Sequence, residues 1–257
     1  MPELAFSFGR IAAEYDDARP EYALEALRWA EEALGLSADS ARVVDLAAGS
    51  GKLTRALARR FPEVVAVEPN DDMRAVLAGR SAGIEVLAGT AERIPLTDDS
   101  ADAVFVGDAF HWFDGPAAVA ELTRVLRPRG GVALLWNHWW SDGDDRTVNS
   151  LDPPLPAEAQ ALLDEVYVRS GRAAAKAGMA DPLDAFAGGA FEPLVEEAFG
   201  CSTELSGAEV VELFATVSSI ASLGPAEREE LKRTLLALLG PSYRLEITTV
   251  LHWTRRV

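Results

Sequence analysis

Three acids and three histidines at the ends of apolar runs are the residues best placed to do chemistry. Asp45 interrupts Val43-Val44-Asp45-Leu46, and a loop of small residues, Ala47-Ala48-Gly49-Ser50-Gly51, follows it at once. Gly49 and Gly51 lack the Cβ atoms that would keep a ligand from the backbone. Glu68 ends the run Val64-Val65-Ala66-Val67, where a carboxylate can accept both hydroxyls of a ribose. Asp108 and His111 follow Ala101–Gly107, and His138 follows Gly131–Trp136. Histidine titrates near neutrality, so His111 and His138 are candidate proton carriers, with Asp108 a second candidate base. His252, alternating along the last apolar run, reads as structural. In the turn that contains it, His111 has an equally simple use in bonding backbone.

Two nucleotide readings of the loop compete, and both are incomplete. A Walker loop needs a first glycine where Leu46 stands and a hydroxyl where Leu53 stands, so the magnesium ligand is missing and ATP hydrolysis is excluded. A dinucleotide fingerprint needs a third glycine, and Thr54 holds that place. An acid ending the first strand would also repel a pyrophosphate, whereas it suits a ligand with a cationic end.

Alternating strand and helix signals would position these residues. Strands are predicted at Val43–Ala47, Val64–Val67, Ile84–Ala88, Ala101–Gly107 and Gly131–Trp136. Helices are predicted at Pro20–Leu34, after an Asn70 or Asp71 cap, and at Pro116–Leu126. Apolar β-branched strands between helices imply a parallel sheet covered on both faces. Beyond Asn137 the pattern breaks into a polar, Pro-rich stretch. A helix follows at Pro156–Arg169, and Ser206-Gly207-Ala208-Glu209 forms a capping box opening another. A further helix opens at Gly224-Pro225, and a strand alternates over Leu245–Thr254.

The loop Asp45-Leu46-Ala47-Ala48-Gly49-Ser50-Gly51 resembles motif I of class I S-adenosylmethionine (SAM)-dependent methyltransferases, with Ala47 in place of the first glycine. Gly89-Thr90-Ala91-Glu92-Arg93-Ile94-Pro95-Leu96 resembles the segment that lies along adenine in small-molecule methyltransferases. Asp108-Ala109-Phe110-His111-Trp112-Phe113 resembles their His-Trp-Phe turn, and Leu126-Arg127-Pro128-Arg129-Gly130-Gly131 their turn before strand five. Tyr15 through Tyr22 is similar to the Tyr-x-x-x-Arg-Pro-x-Tyr cover. Together these identify residues 8 to 137 as similar to the type 11 methyltransferases, a group including trans-aconitate and ubiquinone/menaquinone methyltransferases.

The resemblance implies an α/β fold: a doubly wound, seven-stranded Rossmann-like sheet, parallel with one antiparallel strand at its end, and a helical insertion after strand five. It implies a cofactor-covering segment over 1–35, a SAM-binding core over 36–137, a helical substrate or lid insertion over 138–190, and completion of the sheet by a strand hairpin over 191–257. It implies SAM as cofactor and S-adenosylhomocysteine as product. Asp45, Ala47, Gly49, Gly51, Glu68, Pro69, Thr90, Ala91, Glu92, Asp108, Tyr15 and Arg19 would bind it. Methyl transfer to a small organic acceptor is then the expected reaction, with His111, His138 and Asp108 as catalytic candidates. Trp112, Trp139 and Trp140 would line an acceptor pocket, and Phe6, Phe8 and Tyr15 would fold over it as a lid. The alternatives are a non-catalytic SAM-binding protein and an NAD-dependent oxidoreductase.

Composition narrows the partners. The chain has 257 residues, 41 acids against 24 bases and a formal charge of -17. That charge disfavours nucleic acid and anionic membrane surfaces. The Arg124, Arg127 and Arg129 cluster reads as the close of a helix. One cysteine, Cys201, leaves no intrachain disulfide and no multi-cysteine zinc site, and no metal is expected. No signal peptide and no membrane span are legible, so a cytoplasmic monomer or homodimer is expected.

Overall fold

A computed structural model describes residues 9–139, 150–170 and 181–257. Strands β1 (Arg42–Leu46), β2 (Glu63–Val67), β3 (Glu85–Leu87), β4 (Ala101–Gly107) and β5 (Leu126–His138) are parallel, in the order β3-β2-β1-β4-β5. Their apolar runs are continuous because both faces are buried. Val44, Val65, Val104, Val132 and Leu134 point to one face, and Val43, Val64, Ala103, Phe105 and Leu135 to the other. Helices α2 (Leu24–Leu34) and α3 (Lys52–Ala58) cover the second face through Leu27, Ala30, Leu34, Leu53 and Leu57. Helix α5 (Gly115–Val125) covers the first through Ala118, Leu122 and Val125, which recur at helical spacing. Helix α4 (Asp71–Arg80) starts where the Asn70 side chain accepts from the N–H groups of Asp72 and Met73. A short helix, α1 (Ala12–Ala18), precedes α2.

Among the described residues the sheet has eight strands rather than the expected seven. Strand β8 (Ser242–Arg255) runs antiparallel to β5, pairing Arg255 with Gly131 and Thr248 with His138. Strand β6 (Leu151–Asp152) pairs with Leu245 and Arg244, farther along β8. It is a two-residue strand on the β5 side of β8, too short to announce itself in the sequence. Strand β7 (Val195–Ser206) pairs with β8 along its full length and forms the edge. The expected hairpin of β7 and β8 is therefore interrupted. Between them lie α7 (Gly207–Ala215), opened by the capping box, α8 (Ser218–Ala221) and α9 (Pro225–Leu238).

Together with α6 (Ala157–Arg169), these helices bury Leu163, Val210, Phe214, Ile220 and Leu235 against Trp139 and Tyr243. Residues 191–257 thus complete the sheet and also supply most of a helical cap. The turn at Leu126–Gly131 appears as an irregularity within β5. Leu126 opposes Ala101 and Gly131 opposes Ala103, with Arg129 left-handed at φ 67° between them. No helix among the described residues is long and apolar enough to cross a membrane.

Candidate functional site

The ends of β1, β2, β4 and β5 converge on one edge of the sheet, where crevices in open α/β sheets form. The loop after β1 is held there by its own backbone geometry. Ala47, Gly49 and Gly51 are all left-handed, at φ 57°, 56° and 89°. A Cβ on Gly49 would meet nothing within 4 Å, so the loop presents bare backbone to open space. Gly51 has a different reason from the one expected. A Cβ there would lie 2.8 Å from Leu77 Cγ, so its bareness serves the packing of α4.

Asp45 lies under this loop, 1% exposed. Its Oδ2 accepts from Thr54 Oγ1 at 2.5 Å, while Oδ1 is buried without a partner among the described residues. Burial, with Glu68 nearby, pushes its carboxyl up to about 7, against the pull of the Thr54 bond. Glu68 is 5% exposed. Its Oε2 accepts from Gly49 N and its Oε1 from Asn70 N, each at 2.8 Å. Burial raises its carboxyl as well, partly offset by those two N–H groups. Each of its oxygens retains a lone pair, as binding a diol requires. The carbonyls of Glu68 and Pro69 both accept from Arg74, which fixes the turn beyond β2.

In the segment after β3, Ala91 is buried in the core. Glu92 accepts from Asp114 N at 3.1 Å and from Thr90. Burial raises its carboxyl, but these bonds outweigh it and leave it below the usual carboxylate range. Glu92 thus braces the start of α5, and the Thr90 hydroxyl is directed to Glu92.

At the β4 end, Asp108 stands at φ 50°, an uncommon conformation for an acid that favours functional sites. Tyr22 Oη donates to its Oδ2 at 2.9 Å, and Asn137 N donates to its Oδ1 at 3.1 Å. Burial raises its carboxyl, with Arg19 opposing. Asn137 is itself fixed, accepting from Thr249 Oγ1 at 2.6 Å and donating to the Glu21 carbonyl at 3.1 Å. Thr249 in turn accepts from Ala23 N at 2.9 Å. Tyr22, Asn137 and Thr249 were not singled out from sequence. Only Tyr22, as the last residue of the cover segment, and the inward alternation of Thr249 along its strand hinted at them.

Arg19 donates through Nε and Nη2 to the hydroxyl and carbonyl of Thr216, both at 2.9 Å. Its guanidinium sits 4.9 Å from the Tyr15 ring centre and 5.0 Å from that of Trp139. It thereby links the N-terminal segment to the end of α7. Burial raises the Tyr15 phenol, with the Arg19 charge opposing and the charges of Asp108 and Glu68 adding to the rise.

The histidines and tryptophans separate. His111 Nδ1 accepts from Trp136 Nε1 at 3.4 Å, and its ring packs on Trp112 at 4.7 Å. His138 ends β5 next to Asn137, within electrostatic reach of Asp108. His252 lies edge-on to the same Trp136 and 3.6 Å from Glu196. Trp139 is buried in the cap against Phe214, and Trp112 packs half-buried against the core. Trp140, Phe6 and Phe8 lie outside the described residues. Arg124 pairs with Glu121 and Asp98, and Arg127 with Asp102, so they form no open basic patch.

A strand order of 3-2-1-4-5 with an antiparallel β8 beside β5, a glycine loop after β1 and an acid ending β2 define a class I methyltransferase fold. Residues 44–134 match the methyltransferase domain model. An uncharacterized methyltransferase of Mycobacterium tuberculosis (strain ATCC 25618 / H37Rv) is 45% identical over 135 residues, covering 52% of this chain and 54% of that protein. The chain thus spans about half the length of the curated relatives it matches. A type II methyltransferase candidate from Anaeromyxobacter dehalogenans shares the fold with a TM-score of 0.60 at 21% identity, over 92% of this chain and 97% of that one. The [4+2]-cyclase SpnF shares it with a TM-score of 0.51 at 15% identity, over 93% and 84%.

Proposed function

We propose that this protein transfers a methyl group from SAM to a small organic acceptor. The observation that carries the reading is the buried, unpartnered Oδ1 of Asp45 beneath an open glycine loop, with Glu68 one strand away. A buried carboxylate oxygen without a partner is costly, and a cationic ligand relieves it. The pair fits a ligand that combines a positive charge with a ribose. SAM supplies an already activated methyl group. What remains for the protein is alignment of the acceptor, exclusion of water and, for a protonated acceptor, removal of one proton.

The contacts of Arg19 with Tyr15, Trp139 and Thr216 support a cover formed by Tyr15 and Arg19 and tied to the cap. His138 is the better candidate base of the two histidines, because it ends β5 next to Asn137, whose N–H donates to Asp108. The Nδ1 of His111 is already taken by Trp136, which assigns the neutral ring's proton to Nε2 and suits it to orienting rather than abstracting. A second reading has an observation of its own: a [4+2]-cyclase shares this fold, so the fold by itself does not require methyl transfer. Incubation with methyl-labelled SAM and a panel of carboxylates, amines and phenols separates the two. Label in an acceptor supports transfer, whereas SAM binding with no labelled product across the panel supports the second reading.

A further inference from the structure

We infer that Asp16 is a positioning residue for the cofactor, fastening α1 to the glycine loop and holding that loop in its ligand-ready shape. The inference rests on the SAM reading above and adds a residue to it. Asp16 belongs to α1, remote in sequence from the loop, and is only 4% exposed. Its Oδ1 accepts from Ser50 Oγ at 2.7 Å and from Arg55 Nη2 at 2.7 Å, and its Oδ2 accepts from Arg80 Nη1 at 2.5 Å.

Arg55 closes the ring by donating through Nη1 to the Ser50 carbonyl at 3.0 Å. Ser50 is therefore gripped at both its side chain and its carbonyl, midway between Gly49 and Gly51. Those two glycines give the turn the widest backbone freedom available, which makes holding one shape entropically costly. The Asp16–Arg55–Ser50 ring meets that cost before the ligand arrives, which is how a preorganised site gains affinity. The same grip holds α1, on which Tyr15 is the preceding residue and stacks with Arg19.

A buried ion cluster gives little net stability relative to apolar packing, so a structural role alone explains it poorly. Arg80 offers an internal control. From α4 it pairs with Asp16 and Asp17 of α1, and among the described residues it makes no bond to the loop.

The test compares Asp16→Asn, Ser50→Ala and Arg80→Met by calorimetric titration with SAM, with thermal midpoints measured in parallel. Asp16→Asn and Ser50→Ala are expected to weaken SAM about tenfold and to speed its dissociation. Arg80→Met is expected to lower the midpoint and keep SAM affinity within about twofold of wild type. Ser50→Ala removes a single hydroxyl and keeps the test decisive if Asp16→Asn does not fold. Unchanged SAM affinity in folded Ser50→Ala, or losses that follow the midpoint across all three variants, overturns the proposal. Failure of the wild-type chain to bind SAM overturns the functional reading instead.

Discussion

Asp45 is the residue whose charge state the site controls most directly. Its carboxyl is raised to about 7 by burial, so at neutral pH it is poised between forms. A group raised in the folded state stabilises the fold below its unfolded value near 4 and loses that contribution as pH rises through the folded value. The ligand-free protein is therefore expected to lose stability between about pH 4 and about pH 7 relative to an Asp45→Asn variant. SAM affinity should move the opposite way, rising through pH 7 as Asp45 ionises to meet the cation. Calorimetry across pH 5.5–8.5 checks this, and a profile shared with Asp45→Asn would remove Asp45 from the cation's surroundings. Among the proton carriers, His138→Ala should lower kcat more than SAM affinity, and His111→Gln should preserve the pH profile of kcat. Sequence showed Asp45 and Glu68 because an acid at the end of an apolar run stands out. It did not show the pairings made by folding, Thr54 with Asp45, Asn137 with Asp108, Thr249 with Asn137 and Thr216 with Arg19, because these are ordinary polar residues.

The loop between β1 and α3 is the element where local strain and site geometry meet. Ala47 holds φ 57° with a Cβ, a conformation costing about 1–2 kcal/mol outside glycine. Ala47→Gly is therefore expected to stabilise the protein by about 1 kcal/mol in a denaturant titration, the relieved strain being partly offset by greater unfolded-state freedom. Gly51→Ala combines the same strain at φ 89° with a Cβ 2.8 Å from Leu77, and should destabilise by about 3 kcal/mol. The parallel strands and their helices were legible because apolar period and helix caps agree locally. Strand β7 was implied only in outline, because its run Val195-Glu196-Glu197-Ala198-Phe199-Gly200 mixes charge and glycine, as an exposed edge does. Strand β6 is specified by its register against β8 and by no local pattern.

At the scale of the whole molecule, the N-terminal segment joins the two halves of the site. Asp16 anchors it to the loop, Arg19 to the end of α7, and Glu14 to Arg228 of α9. The cap itself draws on two stretches, one after β5 and one between β7 and β8, which no local signal reveals as a single layer. That is why its position along the chain was only half legible. Binding that draws on this assembled site should stabilise the fold: SAM at 100 times its Kd is expected to add about 2.7 kcal/mol, visible as a raised thermal midpoint. The central claim is tested most directly by calorimetric titration of the full chain with SAM, repeated in Glu68→Ala and with NAD in place of SAM. One SAM per chain is expected, weakened about tenfold or more in folded Glu68→Ala, with no comparable heat from NAD. Tight NAD binding without SAM binding, or SAM affinity unchanged by Glu68→Ala, would contradict it.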